Sequence, residues 1–260
     1  MKIAISGKGG VGKTTVAATL ARMYAMDGRK VVAADADPDA NLGLALGFPP
    51  ELLAEIRPIG KMKRMAAERT GANESNTFLK LNPRVDDIPE LYGREYNGVR
   101  LLIMGTVDAA GTGCVCPENV ILKCLINSLI LSRDEVVILD MEAGLEHLAR
   151  GTTSCVDQFI VVIEPGARSV QTYHSVRRLA AELGVKRVGV VANKIRNAED
   201  EQFVREQIPA EDLLGIVHFN SEVIDADRCG ASPYDYSPSL DEEIAQIKSR
   251  LDSSAAGGVR

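Results

Sequence analysis

A glycine-rich segment near the start of the chain restricts the possible folds more than any other feature. Residues 7–14, Gly-Lys-Gly-Gly-Val-Gly-Lys-Thr, fit the pattern G-x-x-x-x-G-K-[ST], in which backbone N–H groups surround phosphate groups. Residues 2–6 suit a short buried strand, and residues 15–26 are rich in Ala, Leu and Met, as in a helix. A strand, a glycine-rich loop and a helix in this order predict an α/β fold with a phosphate site after the first strand.

The same loop offers two further groups that a nucleotide polyphosphate needs. Lys13 can reach the β- and γ-phosphates, and the Thr14 hydroxyl can bind Mg²⁺. Lys8 is an extra lysine that the general pattern does not require. The predicted nucleotide-binding residues of the loop are Gly7, Lys8, Gly9, Gly10, Val11, Gly12, Lys13, Thr14 and Thr15.

A dinucleotide site is the competing interpretation of this loop. Three of its glycines also fit G-x-G-x-x-G, and Asp35 ends the next strand, where a ribose-binding acid would lie. That pattern gives no reason for Lys13 and Thr14, or for a second acidic strand end at Asp140. A phosphate loop explains both features, so we favour it.

Apolar runs alternate with helical patterns along the chain. Candidate strands are residues 3–6, 30–35, 100–104, 135–140, 158–163, 187–192 and 214–217, and candidate helices include 117–131 and 169–183. This alternation predicts one α/β domain over residues 1–260, a P-loop NTPase with a mostly parallel sheet of about seven or eight strands and helices on both faces. Ligands of such sheets bind at the carboxyl ends of the strands.

Residues 48–98 interrupt that alternation. They contain several Pro, Gly and Asn residues, many charges and no clear strand, although residues 52–68 suit one or two helices. So long a connection within a compact domain is usually functional or mobile. We expect an insertion here, and the pattern leaves open whether it is decorative or a lid or docking element.

Composition narrows the function classes. The net charge of −6 argues against a constitutive nucleic-acid partner. No apolar run approaches the ~18 residues of a membrane-spanning helix, and the N-terminus lacks a signal-peptide pattern. We therefore expect a cytoplasmic protein whose five cysteines are reduced, buried or metal-binding rather than disulfide-bonded.

Acidic residues follow the second predicted strand. Asp37 precedes Pro38, which ends the strand, and its carboxylate is our candidate for orienting the attacking water or holding a Mg²⁺-bound water. Asp and Asn are also ordinary turn and capping residues. That alternative describes Asp39 or Asn41, one of which we expect to cap a helix that begins near Leu42.

Two later strand ends carry further polar groups. Asp140 ends the apolar run 136–139, where an acid would support the Mg²⁺ shell, and residues 141–144 suit a switch loop that senses the γ-phosphate. Glu142 and His147 lie in this region, but a solvated Glu and a helix-surface His are the simpler interpretation. The amide of Asn193 can read a purine edge, with an ordinary turn Asn as the alternative.

Cys114 and Cys116 have no role in a plain ATPase. They lie just before Pro117, where a helix begins, so a helix N-terminus would favour their thiolates. Two thiolates do not close a Zn²⁺ site, but a symmetric dimer would supply four. Buried small side chains or a redox pair are the alternatives, while Cys124, Cys155 and Cys229 look like core positions.

Residues 8–15 resemble the deviant phosphate loop of the MinD/ParA/nitrogenase iron protein class of ATPases. The resemblance implies that Lys8 reaches the nucleotide of a partner subunit, so that Lys8, Lys13 and Asp37 are the catalytic residues. It also implies that Thr14, Asp37 and Asp140 serve Mg²⁺, and that Asn193 reads adenine. Residues 219–234 resemble the late nucleotide-proximal loop of that class.

Within this class, residues 113–118 and 140–147 resemble the CooC-type nickel-insertion ATPases, and the resemblance covers nearly the whole chain. It implies an ATP- and metal-promoted homodimer that binds ATP or ADP with Mg²⁺. It also implies that Cys114 and Cys116 of both chains hold Ni²⁺ or Zn²⁺. The client would be carbon monoxide dehydrogenase or a related nickel enzyme.

The main alternative is a MinD- or ParA-like positioning or partition ATPase without a metal role. A basic amphipathic C-terminal helix would favour membrane targeting, but residues 241–251 are mixed and acidic. The nearest approach to a basic DNA face, residues 168–187, suits a solvated helix better. Ala143 stands where an iron-protein-like carrier has its second cluster cysteine, which argues against an iron–sulfur cluster.

Overall fold

The computed structural model describes residues 1–72, 79–105, 116–131, 135–142, 156–182, 184–185 and 187–256. Its strands are β1 (Lys2–Gly7), β2 (Val31–Ala36), β3 (Arg94–Tyr96), β4 (Val99–Ile103), β5 (Val136–Met141), β6 (Gln158–Ile163), β7 (Val188–Ile195) and β8 (Leu213–His218). The helices are α1 (Lys13–Met26), α2 (Leu42–Ala45), α3 (Pro50–Glu55), α4 (Lys63–Thr70), α5 (Ile88–Tyr92), α6 (Pro117–Leu131), α7 (Ala167–Glu182), α8 (Ala198–Gln207), α9 (Ser221–Cys229), α10 (Pro233–Tyr236) and α11 (Pro238–Ala256), with a 3₁₀ turn at Ile59–Lys61.

The strands form one eight-stranded sheet in the order β3-β4-β2-β5-β1-β6-β7-β8. Every pair is parallel except β3 with β4, which is antiparallel. The predicted single α/β domain with a mostly parallel sheet is therefore confirmed. Because the parallel strands all end at one edge, the residues after β1, β2, β5, β6 and β7 come together there.

Two apolar clusters cover the two faces of the sheet. Alternate residues of β1 divide between them: Ile3 and Ile5 pack with α1 and α11, whereas Ala4 packs on the side of α6 and α7. Each fully buried Ile or Leu contributes about 1.5–3 kcal/mol. The central strands are buried on both faces, which explains why their sequences are continuous apolar runs rather than alternating ones.

The insertion contains one strand that the sequence pattern did not predict. Arg94–Tyr96 pairs with β4 at the edge of the sheet, in register with residues 99–101. The expectation of no strand in residues 48–98 was therefore wrong. Three residues, two of them charged, give no apolar run to detect. The helices α3 and α4 agree with the expectation of one or two helices over residues 52–68.

Candidate nucleotide and magnesium site

The phosphate loop runs from the end of β1 to the start of α1. Gly10 and Gly12 take positive φ values of 79° and 94°, a left-handed backbone that favours glycine. A Cβ at Gly7 would overlap the backbone carbonyl of Val162 on the neighbouring strand. The loop thus needs its glycines both to turn and to pack, and α1 presents its unpaired first-turn N–H groups to the same space.

Lys13 holds a positive charge inside this loop. Its side chain is 6% exposed, and its ammonium lies 3.6 Å from Oδ2 of Asp37. The same ammonium donates to the carbonyl of Lys8 at 3.4 Å. The structure therefore brings the predicted phosphate-binding lysine and the predicted water-orienting carboxylate together, as expected of a site that neutralises phosphoryl charge.

Thr14, in the first turn of α1, contacts Asp140, near the end of β5. The Thr14 hydroxyl donates to Oδ2 of Asp140 at 2.7 Å. Asp140 is fully buried, and within the described ranges its Oδ1 has no hydrogen-bond partner. Burial raises the pKa of this carboxyl to about 6, while the Thr14 hydrogen bond and the Lys13 charge lower it.

An orphaned carboxylate oxygen beside a threonine hydroxyl suits a magnesium site. Mg²⁺ is bound in proteins by a few carboxylate or hydroxyl oxygens and keeps several waters. Asp140 has the free oxygen, and Thr14 has lone pairs that its hydrogen bond leaves unused. The predicted Mg²⁺ residues Thr14 and Asp140 therefore fit the ion. Asp37, the third predicted residue, lies at ion-pair distance from the Lys13 ammonium, and its role at the ion stays a prediction.

Asp35 shapes the loop after β2 instead of facing a ligand. Its Oδ1 accepts from the N–H of Asp37 at 3.2 Å, and its Oδ2 accepts from the N–H of Leu42 at 2.9 Å. Burial raises the pKa of Asp35 to about 7, and the nearby Asp140 charge adds to the rise. Asp35 is 1% exposed, so it does not offer the ribose-binding carboxylate of the competing dinucleotide interpretation.

The expected cap of the helix at Leu42 was assigned to the wrong residue. Asn41 occupies the position before α2 but makes no side-chain capping bond, and its amide donates to the carbonyl of Asp39 at 2.9 Å. Asp39 does not cap the helix either, because Asp35 accepts the Leu42 N–H from seven residues away. A contact of that separation leaves no local capping signature.

The end of β7 reaches back to the phosphate loop. Nδ2 of Asn193 donates to the Val11 carbonyl at 2.7 Å, and Nζ of Lys194 donates to the Gly10 carbonyl. Asn193 is 7% exposed. Its proposed contact with adenine stays a prediction. The contact made by Lys194 was missed, because nothing in the local sequence links residues more than 180 positions apart.

Lys8 is the extra lysine of the loop. Its side chain is partly exposed, and no carboxylate of the described segments lies within ion-pair distance of its ammonium. Its carbonyl accepts from Lys13, so its backbone shapes the loop while its side chain stays available. This placement is compatible with the role in trans that the resemblance implies.

Ser6 connects β1 to the segment after β5. Its buried hydroxyl donates to the carbonyl of Glu142 at 3.2 Å, a contact that the sequence patterns did not indicate. The Glu142 residue itself is exposed, as the simpler interpretation expected. Ala143, Gly144 and His147 lie outside the described residues.

The cysteine pair is only partly described. Cys116 is a partly buried free thiol immediately before α6, which begins at Pro117 as predicted. Cys114 lies outside the described residues, as does Cys155. Where the chain is described, no group of three or more His, Cys, Asp or Glu side chains could hold a metal ion.

Cys124 and Cys229, both predicted as core positions, differ in burial. Cys124 is partly buried and packs against an apolar cluster, where its Sγ donates to the Leu81 carbonyl at 3.4 Å. Burial raises the pKa of this thiol. Cys229, at the end of α9, is exposed, so the prediction of a core position was wrong there.

Comparison with known proteins agrees with this geometry. The CbiA family model, described as the CobQ/CobB/MinD/ParA nucleotide binding domain, matches residues 2–233. The carbon monoxide dehydrogenase accessory protein CooC of Rhodospirillum rubrum is 47% identical over 252 residues, which cover 96% of each chain. An uncharacterized ATP-binding protein of Methanocaldococcus jannaschii is 43% identical over 252 residues, 95% of this chain and 96% of the relative.

Solved structures share the fold at lower identity. The septum site-determining protein MinD of Pyrococcus horikoshii, complexed with Mg-ADP, superposes with a TM-score of 0.67 and 23% identity, covering 98% of this chain and 97% of that one. A putative plasmid partition protein of Borrelia burgdorferi, bound to AMPPNP, gives a TM-score of 0.70 at 15% identity, covering 98% and 99%.

The chain belongs to the CobQ/CobB/MinD/ParA family of nucleotide-binding domains, and within that family it is a CooC-type P-loop ATPase. Lys13, Thr14 and Asp140 lie together at the carboxyl edge of the sheet and form its candidate nucleotide site. In the described part of the chain, none of the helices has the length and apolar character needed to span a membrane.

Proposed function

We propose that this ATPase is a metallochaperone that inserts nickel into the active-site cluster of carbon monoxide dehydrogenase. The observation that carries the proposal is the identity of 47% with a carbon monoxide dehydrogenase accessory protein over 96% of both chains. The position of Cys116 supports it. Parallel β-α-β connections place the start of α6 at the carboxyl edge of the sheet, the edge that also holds the phosphate loop.

The nucleotide site would work through charge neutralisation and positioning. Lys13 would bind the β- and γ-phosphates, and Asp37, at ion-pair distance from Lys13, would orient the attacking water. Thr14 and Asp140 would hold Mg²⁺, which when bound neutralises charge on the phosphates. The γ-phosphoryl group passes to water, and ADP and phosphate leave.

Dimerisation would complete both parts of the site. Lys8 is partly exposed, with no ion-pair partner in the described segments. In a dimer, its ammonium would contact the phosphates of the nucleotide bound by the second copy and neutralise charge there. The same two-fold contact would bring Cys114 and Cys116 of both chains together, which makes a four-thiolate site. Ni²⁺ or Zn²⁺ bound there is the cargo of the protein.

Metal binding tests the role of the cysteines. Equilibrium dialysis with Ni²⁺ or Zn²⁺ should give about one ion per dimer in the wild-type protein. At the same metal concentration, the double variant Cys114→Ser/Cys116→Ser should bind no ion. Cys229→Ser is the matched control, because it removes an exposed thiol elsewhere, and it should keep full binding. Full stoichiometry in the double variant would refute the proposal.

Vesicle and DNA binding test the positioning or partition alternative. We expect no ATP-dependent binding of the protein to anionic liposomes or to duplex DNA. ATP-dependent binding to either one that survives the double cysteine substitution would favour a MinD- or ParA-like role over metal delivery.

A further inference from the structure

Two adjacent residues at the end of β7 hold the backbone of the phosphate loop, although the phosphate-binding role assigns them nothing. Asn193 donates to the Val11 carbonyl at 2.7 Å, and Lys194 donates to the Gly10 carbonyl. We propose that this pair, the β7 brace, consists of positioning residues that keep the loop in its phosphate-binding shape. The inference rests on the proposed nucleotide site and deepens it.

The geometry of a trans peptide explains how such a brace acts. The C=O and N–H of one peptide unit point in opposite directions. When the brace binds the carbonyls of Gly10 and Val11, the N–H groups of Val11 and Gly12 must face the other side. On that side the Val11 N–H meets the Lys8 carbonyl at 3.4 Å, beside the Lys13 ammonium. The brace therefore fixes the direction of these N–H groups, on the side of the loop where the Lys13 ammonium lies.

Close packing fixes the orientation of Asn193. A Cβ at Gly12 would overlap its side-chain nitrogen, so glycine at this position admits the amide as well as the turn. Its Oδ1 accepts from the N–H of Lys194 at 2.9 Å. Each polar atom of the amide thus makes one bond to the backbone, which holds the side chain against the loop, while one N–H and one lone pair stay free of these bonds.

The strained backbone of Lys194 also supports a positioning role. Lys194 has a φ of 60°, one of two positive values among the described residues other than glycine. This conformation is unfavourable for a residue with a Cβ, and it persists where the surroundings compensate. Here the compensation is the bond to Gly10 together with Oε2 of Glu164, which lies 3.8 Å from the ammonium.

A ligand without a base separates a brace from a base reader. Binding of Mg²⁺-ADP and of Mg²⁺-pyrophosphate is measured for the wild type, Lys194→Met and Asn193→Asp. We expect both variants to lose affinity for both ligands by about tenfold, the worth of a charge-assisted hydrogen bond. Lys30→Met is the matched control, because Lys30 is exposed at the opposite edge of the sheet, and its affinities should not change.

A third variant distinguishes positioning from folding stability. Lys194→Gly removes the ammonium but fits the left-handed backbone without strain, so its thermal midpoint should stay within about 3 °C of the wild type. Its affinity for both ligands should still fall about tenfold. A merely structural role predicts instead that any loss of binding follows a loss of thermal stability.

The outcomes separate the brace from the nucleotide site itself. Loss of ADP binding with unchanged pyrophosphate binding would overturn the brace and indicate contact with the base. Unchanged affinities for both ligands in all three variants would also overturn it while leaving the site intact. If the wild-type protein binds neither ligand, the proposed function fails, and the brace fails with it.

Discussion

Asp35 and Asp140 are register partners at the ends of the neighbouring strands β2 and β5, yet their carboxylates are used differently. Both are buried, and burial raises both pKa values, to about 7 and about 6. Each carboxylate oxygen of Asp35 accepts a hydrogen bond from a backbone N–H of the following segment. One oxygen of Asp140 accepts from Thr14, and the other has no hydrogen-bond partner among the described residues.

The difference shows that the hydrogen-bond partners of its oxygens decide whether an acid at a strand end stabilises a loop or can bind a cation. Asp35 has no oxygen without a bond, so it stabilises the loop that carries Asp37. Burial of the second Asp140 oxygen, which lacks a partner in the described part of the chain, costs free energy that a bound cation would offset. Substitutions of the two acids should therefore differ in kind, with activity lost at Asp140 and stability lost at Asp35.

Asp140→Asn should have the largest effect, and on activity. We expect turnover of ATP to fall by about 100-fold, because a neutral amide holds Mg²⁺ and its waters far less well than a carboxylate. The free energy of unfolding should not fall by more than about 1 kcal/mol, since the Thr14 bond can be kept and the amide avoids the cost of a buried charge. Steady-state hydrolysis and urea unfolding measure the two quantities. A large loss of stability with normal turnover would reverse the assignment.

Asp35→Ala should affect stability first. It leaves the buried N–H of Leu42 without its acceptor and also removes the bond to Asp37. Each unsatisfied group costs about 1–3 kcal/mol, and the relief of burying a carboxyl offsets part of that, so we expect a net loss of about 2 kcal/mol. Asp39→Ala is the control at an exposed position of the same loop and should be nearly neutral. Equal midpoints for the two variants would contradict the account.

The pH dependence of stability should separate the two acids further. Both folded-state pKa values are raised above the ordinary value of 3.8, so between about pH 4 and pH 7 the folded protein binds more protons than the unfolded chain. Their contribution to the free energy of unfolding therefore falls as the pH rises through that window and is constant above it. In Asp140→Asn the contribution of Asp140, which is the decrease in the free energy of unfolding between about pH 4 and pH 6, should be missing.

Urea unfolding of the wild type and the variant at several pH values tests this titration. A wild-type free energy of unfolding that rises between about pH 4 and pH 6 in step with these two groups would contradict the raised pKa values. Magnesium is left out of the buffers, since a bound cation would itself favour the ionised carboxylate.

Ser6→Ala should have the smallest effect. It removes the hydroxyl that binds the Glu142 carbonyl at 3.2 Å, and it leaves the carbonyl of an exposed residue that water can reach. We expect a loss of about 0.5–1 kcal/mol by urea unfolding. Ser253→Ala, in the last turns of α11, is a control that should be neutral. A loss above about 2 kcal/mol would mean that the segment after Asp140 contributes more to the fold than this contact implies.

Local sequence signals account for most of the fold. Helix α6 has the predicted bounds because a proline and a glutamate open it and an apolar pattern runs through it. The central strands are buried on both faces, so each appears as an apolar run. The short edge strand β3 was missed because neither its length nor its composition gives such a signal.

The candidate site was predictable only where its chemistry is local. The lysine and threonine of the phosphate loop and Asp140 follow from motifs. The bonds of Asp35 to Leu42 and of Asn193 to Val11 depend on how the chain returns to one edge of the sheet, over 7 and 182 residues. No propensity or spacing rule encodes such contacts, so the role of Asp35 and the contact of Lys194 became visible only in three dimensions.

Activation of nickel-free carbon monoxide dehydrogenase tests the central claim most directly. The wild-type protein, supplied with Ni²⁺ and Mg²⁺-ATP, should restore carbon monoxide oxidation. Asp140→Asn should remain folded but restore almost none, because its nucleotide cycle is broken. Equal activation by the two proteins, or by the wild type without ATP, would contradict a nucleotide-driven delivery of nickel.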